Sequence, residues 1–184
     1  MNRSPLLPLT VCALCAAWLA VCSWIALPGT VPVTLQSFAL FLMLMLFPGK
    51  IPVISVAVYL LLGMVGLPVF AGMQGGVGVI LGPRGGFLLG FLLMTLLDRG
   101  IALLWQKRTA AGQLACIAAE LLLCYAVGTL WYMKMTHTQS ILAALSVCVL
   151  PFLLPDAVKL VLSFVVQHPI QKRLGHMLHT IKRG

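Results

Sequence analysis

Asp156 and Lys159 stand three residues apart in the run LPDAVKL, an acid and a base enclosed by apolar side chains, in a chain with only three acidic residues. On a helix, residues i and i+3 share a face, so the carboxylate and the ammonium can meet each other or receive a ligand together. A small zwitterionic or ureido-carboxylate solute suits such a pair, because the carboxylate accepts N–H donors and the ammonium meets an anionic or carbonyl oxygen. The plainer possibility is a self-satisfied ion pair capping a helix N-terminus, where the macrodipole favours aspartate. A buried pair that satisfies only itself is often no better than apolar packing, which makes a pocket with apolar walls the stronger expectation. Gln36, in VPVTLQSF, is a second candidate beside Thr34: an amide inside an apolar boundary needs partners and can recognise an amide-like group.

The elements that must hold these residues follow from composition. The 184 residues are 61% hydrophobic and 8% charged, whereas soluble domains carry about a quarter charged residues. This is expected to be an all-α polytopic membrane protein, a single domain over residues 1–184, with six spans at about 20 residues each. The net charge of +9 sits in short clusters between apolar runs, not along one polar face, so it reads as a topology signal and excludes a nucleic-acid partner. Six cysteines, Cys12, Cys15, Cys22, Cys116, Cys124 and Cys148, fall within apolar segments and read as small buried hydrophobes. No metal or cofactor set is expected from them, the C-x-x-C of Cys12 and Cys15 included.

The first span covers residues 9–26, with Ala13 and Ala17, and Ala16 and Ala20 beside them, at the spacing that lets another membrane helix approach closely. Internal packing and docking to a partner subunit both fit this pattern. Pro28, Gly29 and Pro32 break the helix, the second span follows over residues 34–47, and Pro48-Gly49-Lys50 makes a turn. A third span at 52–66 runs into the most glycine-dense stretch, with eight glycines between Gly66 and Gly86. In lipid, non-helical backbone must be buried in protein or line a cavity, so this stretch is expected to form a re-entrant or lid-like loop between helices 3 and 4. It lacks the G-K-[ST] of a phosphate-binding loop.

The fourth span is placed at 85–97, with Asp98, Arg99, Lys107 and Arg108 in the connection, and the fifth at 113–133, containing Glu120 and Tyr125. Glu120 is expected to snorkel toward the basic connection. Residues 141–150 form a separate short helix, and the last span is started at Pro155, because proline is harmless at the first helical position and costs about 3 kcal/mol inside a helix. That puts Asp156 and Lys159 in the first turn, with Pro169 kinking or ending the helix early. With both termini cytoplasmic, Arg3, Lys50, Arg99, Lys107, Arg108, Lys172, Arg173, Lys182 and Arg183 face inward and only Arg84, Lys134 and Lys159 outward. The same assignment places the glycine-rich loop, Gln36 and the Asp156/Lys159 turn together on the extracytoplasmic side. His137, His168, His176 and His179 lie in loop and tail positions and form no acid–base or metal constellation, so an enzyme is not expected.

Three segments, VPVTLQSFAL, YLLLGMVGLPVFAGMQGGVGVILGPRGGFLLG and LPFLLPDAVK, in this order and spacing, resemble the biotin-specific BioY family, the substrate-binding S components of energy-coupling-factor vitamin transporters. The resemblance covers the chain from Ala26 to about Arg173. It implies a cell-membrane protein of six helices that captures biotin outside and delivers it inside with a membrane T component and two ATPases. Carried over, the family's acid and lysine fall on Asp156 and Lys159, and the loop beside the vitamin falls on Gly72 to Gly76, with Gln74 and Gly75. Ala13 and Ala17 match the alanine motif that meets the T component. Where the family commonly has a threonine and a tyrosine, this chain has Arg84 and Phe87. An S component for another small vitamin and a stand-alone secondary carrier are the alternatives.

Overall fold

The computed structural model describes residues 6–27, 29–47, 49–105 and 108–182, with side chains described as far as residue 173. Arg3, Pro28, Pro48, Lys107 and Arg183 lie outside the described residues, as do the side chains of His176, His179 and Lys182. The order along the chain is α1 (Leu6–Trp24), β1 (Ala26–Leu27), β2 (Val33–Thr34), α2 (Gln36–Leu46), α3 (Lys50–Met64), α4 (Val77–Leu81), α5 (Gly85–Leu104), α6 (Ala110–Thr136), α7 (Ile141–Cys148) and α8 (Leu150–Lys182). Four segments are long and apolar enough to cross a membrane: α1, α5, α6 and Ile141–Arg173, which runs across α7 and α8. The described residues hold eight helices against the six spans and one short helix expected, the addition being α4 within the glycine-rich connection. Beside them, Ala26 and Leu27 pair with Thr34 and Val33 in a small antiparallel ribbon.

From Ala39 to Leu46 α2 is apolar on every side and buried throughout. It packs on α8, while α1 packs on α3 and α5 on α6. The α5–α6 seam depends on small residues. A side chain at Gly86 would strike Trp131, one at Gly90 would strike Cys124, and one at Gly128 would strike the Phe87 ring. Close backbone approach through small residues is the usual means of helix association in lipid.

The glycine-rich connection between α3 and α5 is strapped in place. Phe70 is buried over Gly63, with its ring edge-on to Tyr59 at 5.5 Å, and its backbone pairs with Gln74. Trp24 Nε1 donates to the Pro68 carbonyl at 2.8 Å, and Ser23 donates to Val69, tying the loop to the end of α1. Gly75 lies so close to the carbonyls of Gly66 and Leu67 that no side chain fits.

Two expected boundaries are corrected. α8 begins at Leu150, not Pro155, and carries both Pro155 and Pro169 inside it. Phe152 supplies the physical reason: it is buried and stacks on Phe87 with ring centroids 6.2 Å apart, so packing fixes the turn before Pro155. Asp156 and Lys159 therefore lie beyond the first turn. α5 extends through Leu104, so Asp98 and Arg99 are helical rather than part of the connection.

Candidate ligand-binding site

The start of α2, the start of α5, the middle of α6 and the start of α8 converge with β2 and the Phe70–Ala71 turn around a partly open cavity of about 70 Å³. Its walls are largely apolar, among them Phe87, Phe91, Leu121 and Phe152, while Thr34, Gln36, Ser37, Tyr125, Asp156 and Lys159 supply the polar groups. An outer cleft of about 650 Å³, lined by Thr30, Gln74, Gly75 and Gly78 among others, adjoins it, and Val79 and Arg84 line both spaces.

The polar groups form one network. Asp156 Oδ1 accepts from Ser37 Oγ at 2.7 Å and from Lys159 Nζ at 2.8 Å, and Oδ2 accepts from the Tyr125 hydroxyl at 2.7 Å. Lys159 Nζ also donates to the Thr34 carbonyl at 2.7 Å and to Ser37 Oγ at 3.0 Å. Both charged residues are buried. An ammonium has three N–H donors, and Lys159 has assigned all three; a carboxylate offers about four acceptor positions, and Asp156 has used three. Gln36 donates its amide to the Tyr59 hydroxyl at 2.9 Å, and its carbonyl oxygen makes no hydrogen bond among the described residues.

Of the residues expected from the sequence, Thr34, Gln36, Asp156 and Lys159 meet in this one cavity. Thr34 contributes mainly its backbone carbonyl to Lys159, while its hydroxyl accepts from the backbone N–H of Gln36. Gln74 and Gly75 line the outer cleft, and Gly72 lines neither space, since Phe70 and Ala71 are the loop residues that reach the cavity. The structure adds Ser37 and Tyr125 to the site. Their only sequence signal was that each places a hydroxyl within an apolar run. On α1, Ala16 and Ala20 are buried whereas Ala13 and Ala17 face outward.

Glu120 does not snorkel. It is 1% exposed, and neither carboxyl oxygen has a hydrogen-bond partner among the described residues. The basic connection is engaged elsewhere: Arg108 donates to both the side chain and the backbone carbonyl of Asp98. Among the described residues the cysteines are all free, and no cluster of metal-ligating side chains occurs.

Long apolar helices around a largely apolar cavity, with a hydrogen-bonded ion pair in its wall, define a multi-pass membrane protein with a polar site among its helices. The chain belongs to the BioY family, whose family model matches residues 1–176. It is 36% identical over 178 residues to the biotin transporter BioY2 of Lactococcus lactis subsp. cremoris, covering 96% of each chain. To the biotin transporter BioY of Thermotoga maritima it is 39% identical, covering 85% of this chain and 90% of that one. Among solved structures, the S-component for biotin from an ECF-type ABC transporter has the same fold, with a TM-score of 0.80 at 24% identity over 94% of each chain.

Proposed function

We propose that the chain is the S component of a biotin uptake system, a substrate-binding membrane subunit and not an enzyme. The observation that carries this is the Asp156 carboxylate, fixed by three donors with one acceptor position left beside an apolar cavity, in a chain whose full-length relatives are named biotin transporters. Biotin's ureido ring presents N–H donors to Asp156 and to the Gln36 carbonyl oxygen, and its sulfur ring and aliphatic tail suit the Phe87, Phe91 and Phe152 walls. Lys159, with its donors committed, holds Asp156, Ser37 and Thr34 in position.

In this reading the chain is one membrane domain crossed six times, by α1, α2, α3, α5, α6 and α8, with both termini cytoplasmic. The charge distribution supports that sidedness, placing the cavity and the glycine-rich loop outside. Energy for release inward comes from partner ATPases through a T component, because the sequence has no phosphate-binding loop. The outward pair Ala13 and Ala17 supports α1 as the docking helix.

The test is calorimetric titration of biotin into the purified protein in detergent or nanodiscs. Saturable binding that Asp156→Ala abolishes is expected. No saturable binding, or binding unchanged by Asp156→Ala and Lys159→Ala, overturns the proposal. A competition panel of other vitamins identifies a different specificity, and uptake into liposomes without partner subunits identifies a stand-alone carrier.

A further inference from the structure

Arg84 stands at the junction of the inner cavity and the outer cleft and lines both. It is the N-cap residue of α5, and its guanidinium bridges two loops. Nε donates to the Thr30 carbonyl at 3.1 Å, Nη2 to the Gly29 carbonyl at 3.4 Å and Nη1 to the Gln74 side-chain oxygen at 3.3 Å. All three acceptors are neutral. A guanidinium carries five N–H groups, so one remains on each terminal nitrogen.

The charges around the two spaces do not balance. Asp156 is the carboxylate among the lining residues, and Lys159 already neutralises it at 2.8 Å. No carboxylate among the described residues lies within ion-pair distance of Arg84. One positive charge is left over, at the mouth of an apolar cavity, where the remaining two N–H groups can receive a planar anion. The polar network of Asp156 and Lys159 is buried, whereas the bonds of Arg84 are exposed, so the two polar stations lie at different depths.

We infer that Arg84 is a specificity-determining residue that reads the carboxylate of a monoanionic ligand at the cavity mouth while the ligand's N–H groups engage Asp156 deeper in. The inference rests on the biotin reading above and assigns the orientation of the ligand: ureido ring inward, carboxylate outward. A lysine would supply the charge but not the planar fork that joins Gly29, Thr30 and Gln74 and still presents donors to the ligand.

Calorimetry with biotin and with biotinamide, its neutral carboxamide, tests this on the wild type, Arg84→Gln and Arg84→Lys. Hydrogen bonds to charged groups lead to an expected loss of about 10- to 100-fold in biotin affinity for Arg84→Gln, with biotinamide affinity changed by less than about threefold. The wild-type preference for biotin should shrink as salt is raised, and Arg84→Lys should retain part of it. Should Arg84→Gln weaken both compounds in parallel, or the wild type bind biotinamide as tightly as biotin, Arg84 only straps the loops and the inference falls while the biotin reading stands. If the wild type binds neither compound, the biotin reading has failed and this inference with it.

Discussion

The hydroxyl of Tyr125 reaches the Oδ2 atom of Asp156 at 2.7 Å, linking α6 to α8 through the wall of the cavity. This bond occupies the one carboxylate oxygen that Lys159 and Ser37 do not touch, so it sets the carboxylate's orientation. Tyr125→Phe removes it with little change of volume. A bond to a charged acceptor contributes about 1.5–3 kcal/mol, so biotin affinity should fall by about 10-fold or more. An unchanged dissociation constant by titration calorimetry would show that orientation does not depend on Tyr125.

Asp156→Leu leaves the buried Lys159 ammonium without its counter-charge, holding only the Thr34 carbonyl and the Ser37 hydroxyl. Breaking one side of a buried pair costs about 3–5 kcal/mol, whereas replacing both partners with apolar residues is often neutral. Thermal unfolding followed by intrinsic fluorescence should therefore show a large drop for Asp156→Leu and substantial recovery for Asp156→Leu combined with Lys159→Met. Biotin binding should be absent in both, which separates the stability of the pair from its recognition role.

Glu120 predicts the opposite behaviour. With both carboxyl oxygens buried and unpartnered among the described residues, the side chain makes no bond that its removal would break. Replacing an unsatisfied buried polar group with an apolar one of similar shape is neutral or stabilising. Glu120→Met should leave the unfolding midpoint unchanged or raised. A marked drop would mean that Glu120 has a partner in the membrane.

Gly75→Ala pushes a methyl group into the carbonyls of Gly66 and Leu67, which are backbone and cannot swing aside. The loop over the cavity should shift while the helical bundle persists. Circular dichroism is expected to stay wild-type and biotin affinity to fall by about 10-fold, in line with about 1–3 kcal/mol for overpacking a tight site.

Ala13→Leu with Ala17→Leu enlarges the outward face of α1 without entering its buried side, where Ala16 and Ala20 lie. Biotin binding by the isolated subunit should be retained, and co-purification with a T component and ATPases should be lost. Retained co-purification would place the docking face on another helix.

Local rules were most reliable where a segment's environment was uniform. The stretch from Ala39 to Leu46, expected as part of a span over residues 34–47, is helical and buried throughout. They failed at Pro155, because a proline's local cost was weighed without the stacking of Phe152 on Phe87, a contact across 65 residues of chain. They failed again at Glu120, where nearby basic residues suggested a partner, but Arg108 turns to Asp98 instead.

What the sequence determined by itself was a membrane protein and a short roster of polar groups, since hydrocarbon-rich runs must be spans and a charge set among them must find a partner. Thr34, Gln36, Asp156 and Lys159 could be named on that ground. Only the tertiary structure decided which partners they found. Ser37 lies 119 residues from Asp156 and Tyr125 lies 31 away, and close packing of separate helices, not any spacing rule, brings their hydroxyls to one carboxylate. The structure likewise decided that Arg84, an apparent departure from a family pattern, stands where the cavity opens with no carboxylate partner among the described residues.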